Sequence, residues 1–185
     1  VKPMLSVITS ISFDHMDLLG DTLGKIAFEK AGIIKADVPV VIGKQEPEVM
    51  AVFTSIAAER DSKLTIVDDN YLVVDIRSTT KGHSFTIVED ETFGLNLKIP
   101  LLGLHQVENA SLAYAALLSV RELGLKLSDE HIEKGFSSIQ WPARFEIISE
   151  EPLIIIDGAH NVDSIGRVLE TVALVFPDKE IHLLY

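Results

Sequence analysis

The chain has 185 residues, 47% of them hydrophobic, with 28 acidic against 16 basic side chains and a formal net charge of −12. That balance supplies a core but no basic face, which argues against a nucleic-acid surface, because phosphate-backbone binding needs clustered Lys and Arg. No apolar run reaches the roughly 18 residues of a membrane span, and the absence of cysteine excludes disulfides and thiolate metal sites and fits a cytoplasmic setting.

Residues 4–13 read as a strand that stops at Asp14-His15. A helix follows, with Asp21 as N-cap and Gly32 closing it. Its apolar stripe is Leu23, Ile26, Ala27 and Ala31, and Lys30 lies on the same stripe. Two readings of Lys30 stay open. Its stem covers apolar surface while the ammonium reaches water, or burial lowers its pKa and frees the amine for chemistry.

Residues 39–43 form a short, fully apolar run that reads as a buried strand. A helix over residues 47–60 presents Val49, Val52, Phe53, Ile56 and Ala57 on one face, and residues 64–67 read as another strand. The β-α-β-α-β alternation predicts a mainly parallel sheet flanked by helices, an α/β fold.

From residue 71 to 102 the pattern changes to short alternating stretches, 84–88 and 93–99, which predict a small antiparallel sheet. His83, beside Gly82, reads as a solvated loop residue. Gly103-Leu104-His105-Gln106-Val107-Glu108-Asn109 then leads into a long helix whose expected stripe is Leu112, Ala113, Ala116, Leu117 and Val120. Asn109 continues that stripe backwards. It is either a buried first-turn amide bonded to backbone or an amide that offers donor and acceptor to a ligand.

Ser128 is a candidate N-cap, with His131 where a capping box would place Glu or Gln, and His131 reads as exposed. Arg144, in the run 139–146, offers a planar charged fork suited to phosphate oxygens, or pairs with Glu146 or Glu150 on the surface. Residues 152–156 read as a buried parallel strand delivering Asp157-Gly158-Ala159-His160-Asn161 at its carboxyl end, where α/β folds place ligands. A helix with Ile165, Val168, Leu169 and Val172 follows, then a strand over residues 180–185, completing a first β-α-β. Val1 and the apolar run IHLLY read as cut ends.

The run SFDHMDLLGDTLGKIAFEKAGIIK resembles the central segment of the folylpolyglutamate synthase/dihydrofolate synthase family, the folate branch of the Mur ligase superfamily. The H-Q-x-x-N segment, the W-P-A-R run (for the family's W-P-G-R) and D-G-A-H-N-V (for D-G-A-H-N-P) extend the resemblance over nearly the whole chain. It implies a central ATPase domain over residues 1–143 and the start of a second, Rossmann-like α/β glutamate ligase domain over 144–185. It also implies a cytoplasmic ligase, monomeric when intact, that uses ATP and Mg2+ to join L-glutamate to folate or dihydropteroate through an acyl phosphate. By the same resemblance His15 and a carbamylated Lys30 hold the metal, and Asn109 contacts adenine. Arg144 faces the phosphates, Asp157 contacts the nucleotide from the second domain, and His160 forms the substrate side of the cleft.

A phosphate loop of the form G-x-x-x-x-G-K-[ST] is missing from these 185 residues. Gly20 to Lys25 has three residues between its glycines instead of four, and Ile26 lacks the hydroxyl. The chain alone is therefore expected to be inactive. A murein-precursor ligase and a non-catalytic α/β fragment are the rival readings, and the E-K-A-G-I-I run counts against the former.

Overall fold

The computed structural model describes residues 2–12, 22–90 and 93–184. The first layer is a parallel sheet of β1 (Ser6–Ile8), β2 (Val40–Ile42) and β3 (Leu64–Ile66), in that order. Helix α1 (Leu23–Ala31) and helix α2 (Pro47–Glu59) pack on each other and cover one face. Alternation along β2 decides which side chain goes where. Val40 and Ile42 join Ala27, Ala31, Val49 and Phe53 under the two helices, while Val41 points the other way to Leu112 and Ala115. Each fully buried Val, Ile or Phe among them contributes roughly 1.5–3 kcal/mol by leaving water.

The stripes expected for α1 and α2 are the buried ones, with Leu23 and Val52 partly buried at their edges. Thr22 caps α1, its hydroxyl accepting from Lys25 N at 3.3 Å. Asp14, His15 and Asp21 lie outside the described residues. Lys30 departs from its stripe. It is exposed in the last turn of α1, although Ile26, Ala27 and Ala31 around it are buried. The burial expected to free its amine is absent from the structure. The short α3 (Val67–Asn70) follows β3 directly.

The second layer is an antiparallel sheet of β4 (Leu72–Thr79), β5 (Gly82–Asp90) and β6 (Phe93–Ile99). Phe85, Ile87, Leu95, Leu97 and Ile99 form its inner face. They pack against Val107, Ala110, Tyr114 and Leu118 of α4 (Leu104–Glu122), and against Ile132 and Phe136 of α5 (Asp129–Ser137). Helix α4 is therefore wedged between both sheets. Its buried residues differ from the expected stripe: Val107, Ala110, Tyr114 and Leu118 face one sheet, Leu112 and Ala115 the other, and Ala113 is exposed. Ser128 caps α5 in a capping box, His131 N donating to its hydroxyl and His131 Nδ1 accepting from Ser128 N, both at 3.2 Å.

His83 is a correction. It is 3% exposed, on β5 rather than in a loop, and shares a 2.9 Å hydrogen bond with Ser78.

The last part is an antiparallel pair, β7 (Glu146–Glu150) with β8 (Leu153–Ile156), and helix α6 (Val162–Val175). Of the β-α-β expected over 144–185, the first strand and the helix are present as β8 and α6. β8 pairs antiparallel with β7, and Ile154 and Ile156 are exposed among the described residues. Residues 180–184 form no strand, since no strand among the described residues lies beside them to pair with. Among the described residues no helix is long and apolar enough to cross a membrane.

Candidate functional site at the start of helix α4

Three chain segments meet at the amino end of α4. The first is the Gly103 turn. Gly103 sits at φ +100°, and a Cβ there would come within 2.5 Å of the His105 ring and 2.6 Å of Thr171 Oγ1, a hydroxyl of α6. Only glycine permits that approach together with that φ. The turn sets His105, half-buried, and Gln106, buried, at the head of the helix.

These side chains form a directed relay. An amide nitrogen can only donate, so Gln106 Nε2 donates to His105 Nε2 at 2.9 Å, and Asn109 Nδ2 donates to Gln106 Oε1 at 3.2 Å. Asn109 is exposed rather than buried, and the hydrogen bond from its Nδ2 to Gln106 fixes the amide group. Accepting at Nε2 requires a neutral His105. Burial, aided by the cations Arg167 and Arg144 and opposed by Asp157, lowers its pKa to about 4.

The second segment is the turn at 141–146. Ala143 and Phe145 both adopt left-handed backbone, at φ +56° and +47°. Ala143 thus occupies a conformation that glycine adopts at lower cost, about 1–2 kcal/mol less. Arg144 between them lies 5.9 Å from the centre of the Trp141 ring, and Glu146 accepts from Ala143 N at 2.8 Å instead of pairing with it.

The third segment follows β8. Asp157 accepts from Phe145 N through Oδ2 and from Ala159 N through Oδ1, both at 2.7 Å, and Gly158 N donates to Ala143 O at 2.9 Å. One carboxylate therefore holds the Arg144 turn against its own. His160 is exposed and its Nδ1 donates to Gly158 O at 3.0 Å. Asn161 caps α6 through Ser164.

Of the residues singled out in the sequence, Arg144 and Asp157 are brought within electrostatic reach of His105, two contacts along the relay from Asn109. His160 is in the same turn as Asp157. Lys30 is on α1, outside this group. Among the described residues no cluster of three or more His, Cys, Asp or Glu could hold a metal ion. Sequence reasoning passed over His105, Gln106 and Arg167. The glycine two residues before His105 was the available signal. On another side of α4 a cavity of about 450 Å³ is lined by Lys44, Asp68, Tyr71, Leu104, Glu108 and Ser111, among others, and includes none of Asn109, Arg144 and Asp157.

Residues 1–117 match the Mur ligase middle domain family. The chain belongs to that family. It is 32% identical to a dihydrofolate synthase/folylpolyglutamate synthase of Bacillus subtilis, over 100% of the chain and 43% of the relative. It is 35% identical to the folylpolyglutamate synthase of Lacticaseibacillus casei, over 95% of the chain and 41% of that protein. Its fold is similar to that of an FPGS–AMPPCP–folate complex with a TM-score of 0.90 at 36% identity, covering 97% of the chain and 44% of that structure. The chain thus spans less than half the length of the curated relatives it matches.

Proposed function

We propose that this chain is the nucleotide-holding central part of an ATP-dependent ligase that joins L-glutamate to folate or dihydropteroate. One observation carries the reading: a His105–Gln106–Asn109 relay lies within electrostatic reach of Arg144 and Asp157, whose turns are joined by hydrogen bonds from Phe145 N to the Asp157 carboxylate and from Gly158 N to Ala143 O. A purine edge needs a fixed amide, phosphates need an oriented cation, and both are present. Relatives that carry the synthase name, and one solved with AMPPCP and folate, support the choice of substrates.

In this reading Asn109 holds the base and Arg144 the phosphates. Asp157 keeps the Arg144 turn in register, and His160 borders the acceptor carboxylate. Residues 1–143 belong to the ATPase domain and 144–185 to the ligase domain. The protein works as a cytoplasmic monomer without nucleic-acid partners. Magnesium, when bound, would offset phosphate charge. His15 and a carbamylated Lys30 are its proposed ligands by resemblance. Among the described residues no cluster of three or more His, Cys, Asp or Glu adds to them.

The test is phosphate release by the full gene product with ATP, glutamate and either dihydropteroate or tetrahydrofolate. Glutamate-dependent release with one of them is expected, and none with either overturns the reading. In the same assay Arg144→Ala should raise the KM for ATP about 10- to 100-fold, the equivalent of a lost charge-assisted hydrogen bond. The KM for the acceptor should stay near wild type. An unchanged KM for ATP would remove Arg144 from the nucleotide site.

A further inference from the structure

We propose that Arg167 is a positioning residue that spans the two walls of this site, tying the first turns of α4 to the turn at 157–160. The proposal rests on the nucleotide reading above and adds a residue to it. Arg167 lies in the second turn of α6, 31% exposed. Its Nε donates to Asp163 Oδ2 at 3.1 Å, and its Nη1 lies 3.7 Å from Glu108 Oε2, next in sequence to Asn109. The guanidinium is therefore held by Asp163 of its own helix, which follows directly on the turn at 157–160, and reaches across to Glu108 of α4.

A second contact one turn along fixes the same seam. Thr171 donates to Arg167 O at 2.7 Å, is 2% exposed, and packs against Gly103. It is the buried residue of α6 among those described. The helix that follows Asp157 and His160 is thus seated on the head of α4 by Thr171 and oriented by Arg167. Among the charged groups, Arg167 is the foremost influence on His105, ahead of Arg144, Asp157 and His83. It therefore stands close to the relay that ends at Asn109. An exposed ion pair contributes little to folding. The contribution expected of Arg167 is to the spacing of two groups that must grip one ligand.

The experiment is calorimetric titration of AMPPCP into the full gene product and its Arg167→Gln, Glu108→Gln and doubly substituted forms, with the His105 imidazole followed by NMR. Each single change should weaken AMPPCP about three- to fivefold, and the double change by no more than either single one, because the groups act as one contact. Removing the Arg167 cation should also raise the His105 pKa, a readout that a merely structural role would not move. A wild-type affinity in Arg167→Gln, single effects that multiply in the double variant, or an unmoved His105 would overturn the proposal alone. Failure of the wild-type protein to bind AMPPCP would overturn the nucleotide reading and this role with it.

Discussion

Gly82→Ala is expected to lower the thermal midpoint of the chain by about 6–12 °C, from a loss of roughly 3 kcal/mol in a domain of this size. Gly82 opens β5 at φ +125°, and a Cβ there would lie 2.0 Å from Ile99 O and 2.8 Å from Pro100 Cα. Both obstacles are backbone. Relief requires the end of β6 to move, which breaks the register that pairs His83 with Ile99 and lifts the sheet from α4. The loss is large against the roughly 5–15 kcal/mol that holds a domain folded. Gly135→Ala is the matched control, since it lies within α5 with nothing near its added methyl. It should stabilise by about 1 kcal/mol through helix propensity. A Gly82→Ala chain that melts with the wild type would refute the close approach.

Lys30→Ala in the full gene product should lose activity on the order of 100-fold, the scale of losing a ligand's support at a metal site. Its melting temperature should hardly change. Lys30 is exposed in the last turn of α1, and alanine is the better helix former, so folding shifts by less than about 0.5 kcal/mol. The two readouts together separate a chemical role from a packing one. Short carboxylic acids should restore part of the activity by occupying the place of the proposed carbamate. A fully active Lys30→Ala enzyme at ordinary magnesium concentrations would sink the assignment.

The parts of the fold that were legible in the sequence are those where one face meets one neighbour. Helix α2 buries a single face, against α1 and the parallel sheet in one core, so Val49, Phe53, Ile56 and Ala57 stand out at helical spacing. Helix α4 is buried on two sides, and no single stripe describes it. Ala113 and Ala115 look alike in the sequence, yet one is exposed and the other sealed against the sheet. Strand β4 was hidden by a register shift between Val74 and Arg77, which spoils the alternation that identifies a strand. His83 looked like a loop residue because of Gly82. Its burial comes from residues far along the chain, and burial holds its pKa below the usual value, the Gly103 backbone offsetting part of that.

At the candidate site, chemistry was legible and proximity was not. Arg144 and Asp157 could be picked out by type and motif. That Asp157 would accept from Phe145 N, and so fasten the two turns together, depends on the antiparallel β7–β8 pairing that the sequence reading replaced with a parallel strand. Lys30 shows the opposite failure. Its spacing placed it on the apolar stripe, but it lies in the last turn of α1, where a long side chain carries its charge to water.

The wedging of α4 between two sheets also sets how the molecule breathes. Eight of its residues are buried, against one in α6. Amide protons in the middle of α4 should therefore exchange with solvent only when the whole body unfolds, while those of α6 and the β7–β8 pair exchange through local opening, faster by at least about 100-fold. Deuterium uptake followed by mass spectrometry would read the difference directly, and uniform uptake across the two would contradict it. The groups around His105 then stand where a slow-opening body meets a fast-opening one, so their mutual spacing can be reset many times within one lifetime of the core.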